Sequence, residues 1–459
     1  MEKFERNILI IIFLSFAIRL IHITDPPIEV SHNWRQTTSL MVARNFYQQN
    51  NNILYPTLDE TGEKPGIVGM EFPALPYSIY LISELFGYDH WYGRLIGLIV
   101  VCIGLYYFFL LVCQFFDKKT AFYATIALTF SALFHLARKV LPDPISLSLV
   151  IIGLYYGTIY LRHGKWVHLL VFFITAALGT LIKIPFGAFL IVLAFPFFEK
   201  ATINSRRILF AICSLCLVGV VYWWYFVWNF HLAETYGLWY NSGRSIKDGI
   251  REIGENFGDV LERFYFSAFH SYFFFALTLA GLGFVIYRRN KKMMWLLVAF
   301  APFFIGYLFK SGFLFAHHGY YALVAVPVMA LLVGIFLQEL PRKWAAIVLL
   351  IGIGESVANQ QHDFFIKDRE FVKLQLAEIA NQLSTPSDKV ALVSNQNPNE
   401  FYFLNRKGWM IAPTDLNSAF LTDLSSKGCR LLFMRKGKYD QNLPLKIVFE
   451  NQDYLVFEL

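Results

Sequence analysis

The sequence predicts a polytopic α-helical membrane protein with a small C-terminal α/β domain, and three observations carry that expectation. Apolar residues make up 56% of the 459 positions and aromatic residues 18%, while charged residues account for only 16%, against about a quarter in soluble domains. Apolar runs of about 17–25 residues, long enough to cross the hydrocarbon core of a bilayer, recur along the first 358 positions. The charge is also uneven: residues 1–358 hold 28 Lys/Arg and 21 Asp/Glu, whereas 359–459 hold 12 of each. An ordinary soluble enzyme is excluded, because 47 Phe and 25 Tyr cannot all be hidden in water-soluble cores of this size. Nucleic acid is excluded as a partner, because its recognition needs a clustered cationic face on a soluble module. Here the cations lie between apolar runs, where sorting of basic loops to the inner side explains them.

The apolar runs fall near 7–23, 92–115, 120–138, 144–161, 166–182, 186–199, 207–230, 266–287, 292–309, 319–338 and 343–358, which gives about eleven transmembrane helices. Lys3 and Arg6 precede the first run and no small-residue cleavage site follows it, so it reads as a retained signal anchor. Segment 73–88 is short, is interrupted by Pro73 and Pro76, and carries Glu84. It is expected to lie along the outer leaflet as an interfacial helix. With that threading, 15 Lys/Arg fall on the side of the N-terminus and four, Arg138, Lys139, Lys183 and Lys310, in the short connections opposite. The N-terminus is therefore expected in the cytoplasm and the C-terminus outside. Residues 1–358 form the membrane domain, with long outer loops at 24–91 and 231–265, and 359–459 form an outer domain. In that domain apolar spacing predicts a helix over 364–383 and strands over 389–394, 430–434, 446–449 and 454–457.

Five cysteines are too few for a disulfide scaffold. Cys213 and Cys216 lie in an apolar run, where helix packing accounts for them better than zinc, and no metal site is expected from the acids and histidines. A divalent cation shared by a lipid phosphate and carboxylates stays open.

Ionisable groups are costly near a bilayer centre and cheaper toward its edge, and this chain collects them on the outer side. The stretch 32–48 places His32, Arg35 and Gln36 at the start of a helix, with Trp34 able to serve as an interface anchor. Glu71 precedes the Pro-stiffened interfacial helix, where partial burial would suit a general base and where helix-dipole stabilisation would equally place an acid. The turn 137–149 gathers Arg138, Lys139 and Asp143 between Pro142 and Pro144, although Asp143 could simply cap a helix. Lys183 ends a run before Pro185 and could snorkel. Lys310 with His317, His318 and Tyr320 forms a further cationic mouth. Carboxylates and cations on one face suit transfer of a group from a lipid phosphate: the cations stabilise charge growing on the leaving phosphate and a carboxylate takes the acceptor proton.

The stretches HNWRQ…ARNF (32–46), MEFP…Y (70–77), GRL (93–95), LPDP (141–144), Lys183 and HHGYYALVAVPVMALL (317–332) resemble the GT-C superfamily of polytopic glycosyltransferases. The nearest branch is that of the protein O-mannosyltransferases and the lipid A aminoarabinose transferase. The resemblance covers about 1–358. It implies a multi-pass enzyme of a bacterial cytoplasmic membrane that moves a sugar from a polyprenyl-phosphate donor to a glycan, lipid or protein acceptor on the outer face, with inversion. Carried over by position, Glu71 and Asp143 correspond to the acidic pair, Lys183 to a phosphate contact, and Tyr320 with Tyr321 to the mouth of a late helix lining the lipid groove. Many relatives have Asp-Glu where this chain reads Trp34-Arg35-Gln36, so the base is Glu71, Glu29 or His32, with Glu71 favoured because Pro73 and Pro76 limit its motion. The expectation is that these groups meet in one pocket at the outer rim. A transporter or flippase of lipid-linked sugars is the alternative, but no paired half-repeat is evident.

Overall fold

Every apolar run expected to cross the bilayer is helical in the computed structural model, which describes residues 3–29, 31–240, 243–394, 397–438 and 443–459. Among the described residues four helices are long and apolar enough to cross a membrane as continuous rods: Tyr92–Phe115, Pro142–His163, Asn204–Tyr236 and Lys291–Ser311. The pair Phe257–Ser267 and Tyr272–Tyr287, bent by 92°, adds a fifth if it counts as one crossing. Other runs are broken, and the breaks have local causes. Ser131 caps a new helix, Ala132–Ala137, by accepting from the Leu133 amide, which ends the run that began as Lys118–Thr129. Pro185 opens a 3-10 stretch, Ile184–Leu193, and Pro327 starts Val326–Leu337, because proline lacks the amide needed to continue a preceding helix. At the 92° bend the Glu355 carboxylate accepts from Ser271 Oγ (2.5 Å) and from the amides of Tyr272 (3.1 Å) and Phe273 (3.0 Å), so the new helix starts with its orphan donors satisfied.

The chain divides into two compact units, the first made of 1–23, 93–227 and 241–364, the second of 24–92, 228–240 and 365–459. In the first, helices Pro142–His163 and Trp166–Ile182 pack tightly along their length. A Cβ on Gly179 would lie 2.9 Å from the Ser146 carbonyl oxygen, and Ser146 Oγ donates to the Gly179 carbonyl at 2.6 Å. Close small-residue contact of this kind is how helices associate in lipid, and it sets the start of one helix beside the end of the other.

The second unit holds a five-stranded sheet of β1 (Lys389–Val393), β2 (Gly408–Ile411), β3 (Cys429–Arg435), β4 (Ile447–Glu450) and β5 (Tyr454–Glu458), in the order β2-β1-β3-β5-β4. β2, β1 and β3 run parallel, while β5 is antiparallel to both β3 and β4. Ala391, Val393, Ile411, Leu432, Met434 and Phe457 bury one face with Leu421 and Leu424 from helix Ser418–Ser426. Residues 24–92 join this unit. Arg44, on helix Asn33–Gln48, donates to Asp59 Oδ2 (2.5 Å) and to the Tyr402 carbonyl (2.8 Å), and Asn45 donates to Asp59 Oδ1 at 2.8 Å. Gly408 takes amides from Thr61 (2.9 Å) and Gly62 (2.7 Å) and gives its own to the Asp59 carbonyl (3.1 Å). Its φ of +150° and the nearness of the Val390 carbonyl, 1.8 Å from any added Cβ, require glycine there. Helix Ala74–Phe86 follows Pro73 as expected for the interfacial segment, and it leaves Leu81, Leu85 and Phe86 exposed. The helix expected over 364–383 is instead a 3-10 stretch, Asp368–Gln375, running into helix Leu376–Leu383. Within that stretch Glu370 is drawn to both Lys373 (2.6 Å) and Arg369 (3.3 Å).

Glu60, beside the Gly408 contact, has a buried carboxyl oxygen without a hydrogen-bond partner among the described residues. Burial, with a smaller push from Asp59, raises its carboxyl to about 7. The folded state therefore holds a proton that the unfolded chain releases, and stability falls as pH rises from about 4.5 to about 7. Glu60→Gln is expected to flatten that slope and raise the melting temperature at neutral pH, which a pH series of thermal melts in detergent checks.

Candidate active site

The first unit pairs Asp143 with Lys183. Asp143 lies in the first turn of Pro142–His163, after Pro142 at the helix start, where the helix dipole favours an anion. Lys183 ends Trp166–Ile182 in an extended conformation before Pro185, where the dipole favours a cation. The Gly179–Ser146 contact brings these ends together, and Lys183 Nζ lies 3.6 Å from Asp143 Oδ1. Asp143 is buried, and its Oδ2 has no hydrogen-bond partner among the described residues. A buried carboxylate with one oxygen near a half-buried ammonium and the other unmatched is a polar site held ready in an apolar body.

The neighbouring cations are committed to the fold. Arg138 donates to the carbonyls of Ile21 (2.6 Å) and Asp363 (3.1 Å) and lies over the Phe364 ring at 4.4 Å. It clamps the end of the first helix to the exit of helix Arg342–Gln360. Lys139 lies 3.4 Å from Asp363 Oδ2, and His135 Nε2 lies 2.6 Å from the same oxygen. Burial works against the charge on Asp363, but Lys139 and the hydrogen bond from His135 hold its carboxyl far below the ordinary carboxylate range. Sequence reasoning missed Asp363. An acid five residues after an apolar run was a weak signal, and its partners lie more than 220 positions away. Asp363→Asn is expected to cost about 1.5–3 kcal/mol, the usual cost of losing a buried hydrogen bond to a charged group, seen as a lower melting temperature.

Lys310 donates to the Arg244 carbonyl at 3.0 Å, and Arg244 in turn pairs with Glu252 at 3.2 Å. His317 and His318 part ways. His317 is exposed, with its ring stacked on Phe313 at 3.7 Å and its Nδ1 against the Phe313 carbonyl. His318 stacks near Tyr320 (5.4 Å) and Tyr321 (6.0 Å), and Tyr320 is buried.

In the second unit Arg35 and Glu71 form an ion pair in which both side chains are nearly buried. Gln36 is fully buried and donates to Glu29 Oε2 at 3.1 Å. His32 precedes helix Asn33–Gln48 with φ +62°, and its side chain does not cap that helix. Among the described residues no cluster of three or more His, Cys, Asp or Glu could hold a metal ion. The second unit thus holds a carboxylate paired with a guanidinium, and the first holds a carboxylate–ammonium pair.

Residues 64–226 match the sequence model of the dolichyl-phosphate-mannose-protein mannosyltransferase family, a stretch that includes Glu71, Asp143 and Lys183. The fold is similar to that of ArnT from Cupriavidus metallidurans bound to undecaprenyl phosphate, with a TM-score of 0.59 and 13% identity over 98% of this chain and 97% of that one. Over nearly its whole length the chain thus has the fold of this solved membrane protein. The apo oligosaccharyltransferase of Archaeoglobus fulgidus shares this fold with a TM-score of 0.62 and 12% identity, over 94% of this chain and 69% of that one. The arabinofuranosyltransferase AftD from Mycobacteria, matched at a TM-score of 0.54 and 12% identity, covers 92% of this chain, which spans 36% of AftD. No curated protein matches the sequence.

Proposed function

We propose that this chain is a GT-C glycosyltransferase that moves a sugar from a polyprenyl-phosphate donor to a hydroxyl of a glycan, lipid or exported protein, with inversion. The reaction takes place at the outer face of a bacterial cytoplasmic membrane that the chain crosses about eleven times, N-terminus inside and C-terminal domain outside. The Asp143–Lys183 pair carries the reading. As the bond from the sugar carbon to the phosphate oxygen breaks, charge grows on the phosphate, and a fixed ammonium is worth more to that state than to the intact donor. Asp143 acts as a positioning residue that holds the Lys183 ammonium in place. Glu71, paired with Arg35, takes the proton from the acceptor hydroxyl as its oxygen bonds to the sugar carbon. The sugar carbon passes through an oxocarbenium-like state on the way. ArnT holding undecaprenyl phosphate supports a lipid phosphate as the donor's leaving group.

The test uses the purified full-length chain in liposomes with a labelled polyprenyl-phosphate-linked sugar and envelope material as acceptor. Transfer predicts label on an acceptor together with free polyprenyl phosphate. Label that crosses the bilayer with its glycosyl bond intact overturns the reading in favour of a transporter.

A further inference from the structure

The first unit contains a second built feature, on the helix that carries Asp143 but farther along it. An apolar slot lies among Tyr92–Phe115, Pro142–His163, Ile184–Leu193, Ala194–Phe198, Lys291–Ser311 and Val326–Leu337. It reaches Ile151 and Leu154, at least eight residues beyond Asp143, or about 12 Å along the helix. Every lining side chain is apolar except Lys292.

Lys292 is exposed and donates to the Phe115 carbonyl at 3.1 Å. Among the described residues it has no carboxylate partner, whereas its neighbour Arg288 pairs with Glu339 at 3.9 Å. It belongs to the basic connection 288–292, RRNKK. An apolar slot between helices with a cation at one lip complements an amphiphile with one hydrocarbon chain inside and an anion at the lip. A zwitterionic headgroup carries its own cation to offset its phosphate, so it pairs with that ammonium less strongly than a net anionic one.

We propose that this cavity holds one acyl chain of an anionic glycerophospholipid whose phosphate pairs with Lys292. The bound lipid fills space between these helical segments, so it serves as a structural lipid of the membrane unit, separate from the sugar donor.

The full-length chain in nanodiscs of mixed phosphatidylglycerol and phosphatidylcholine, released into the gas phase for native mass spectrometry, tests this. Wild type is expected to retain one phosphatidylglycerol. Lys292→Glu should lower its affinity about tenfold, and Leu331→Trp, which fills the slot, should abolish retention. Lys292→Met, which removes charge without reversing it, gives an intermediate loss and guards against misfolding of the other two. Equal retention of phosphatidylcholine, or phosphatidylglycerol held unchanged by Lys292→Glu, overturns the proposal. Retention of a polyprenyl phosphate instead, when one is added, overturns it too and assigns the cavity to the donor.

Discussion

Lys183→Met is expected to lower kcat/KM for sugar transfer about 10²–10³-fold, the usual cost of removing one preorganised group that stabilises transition-state charge. Lys183→Arg keeps the charge but alters its placement, so it should recover part of the rate. Asp143→Asn should act in the same direction, because the ammonium loses the carboxylate 3.6 Å away that positions it. Each single change also leaves a charge buried without its partner, which lowers stability. The double variant Asp143→Asn/Lys183→Met separates the two effects. Removing both charges should bring the melting temperature back toward wild type while transfer stays as low as in Lys183→Met, since groups that act as a unit are not additive. If the pair only joins two helices, transfer returns together with stability, and the assignment of Lys183 to the phosphate fails. The measurement is a donor-saturation series beside thermal melts of the same preparations.

How much of this could be read beforehand depends on the range of the interactions involved. Hydrophobic runs speak through composition alone, so the helical membrane body was legible, as was a short helix following Pro73. Strands β1, β3, β4 and β5 were legible because their apolar residues cluster. β2 was not, since Gly408 to Ile411 is only four residues, opens on glycine, and is half buried; it exists because β1 and loop-one residues hydrogen-bond to it on both sides. The helix breaks at Ser131 and Pro185 were written in the residues but hidden inside apolar stretches whose length looked sufficient. Charged residues were easy to find and hard to assign. Arg138 and Lys183 looked alike as outer cations, yet Arg138 is bound to carbonyls of Ile21 and Asp363, and Lys183 lies against Asp143. Nothing local distinguishes them, because the partner is chosen by packing between distant segments.

Glu71→Gln is expected to reduce transfer about 10²–10⁴-fold, the range supplied by a positioned general base. The change keeps the size of the side chain and removes its charge, so the ion pair with Arg35 is lost, and a lower melting temperature accompanies the loss. A rate measurement alone would therefore confuse chemistry with folding. The pH profile separates them. A base works only when ionised, so the wild-type rate falls on the acid side as the carboxylate takes up protons, and that limb should vanish in Glu71→Gln, whose small residual rate no longer depends on this group. Glu71→Asp keeps the charge and a partner for Arg35 but draws the carboxylate back by one methylene. It should retain the acid limb at a reduced rate with stability near wild type. Were Glu71 merely the counter-ion of Arg35, Glu71→Gln would shift the melting temperature and leave the acid limb in place, and Glu29 or His32 would become the group to test for the proton transfer.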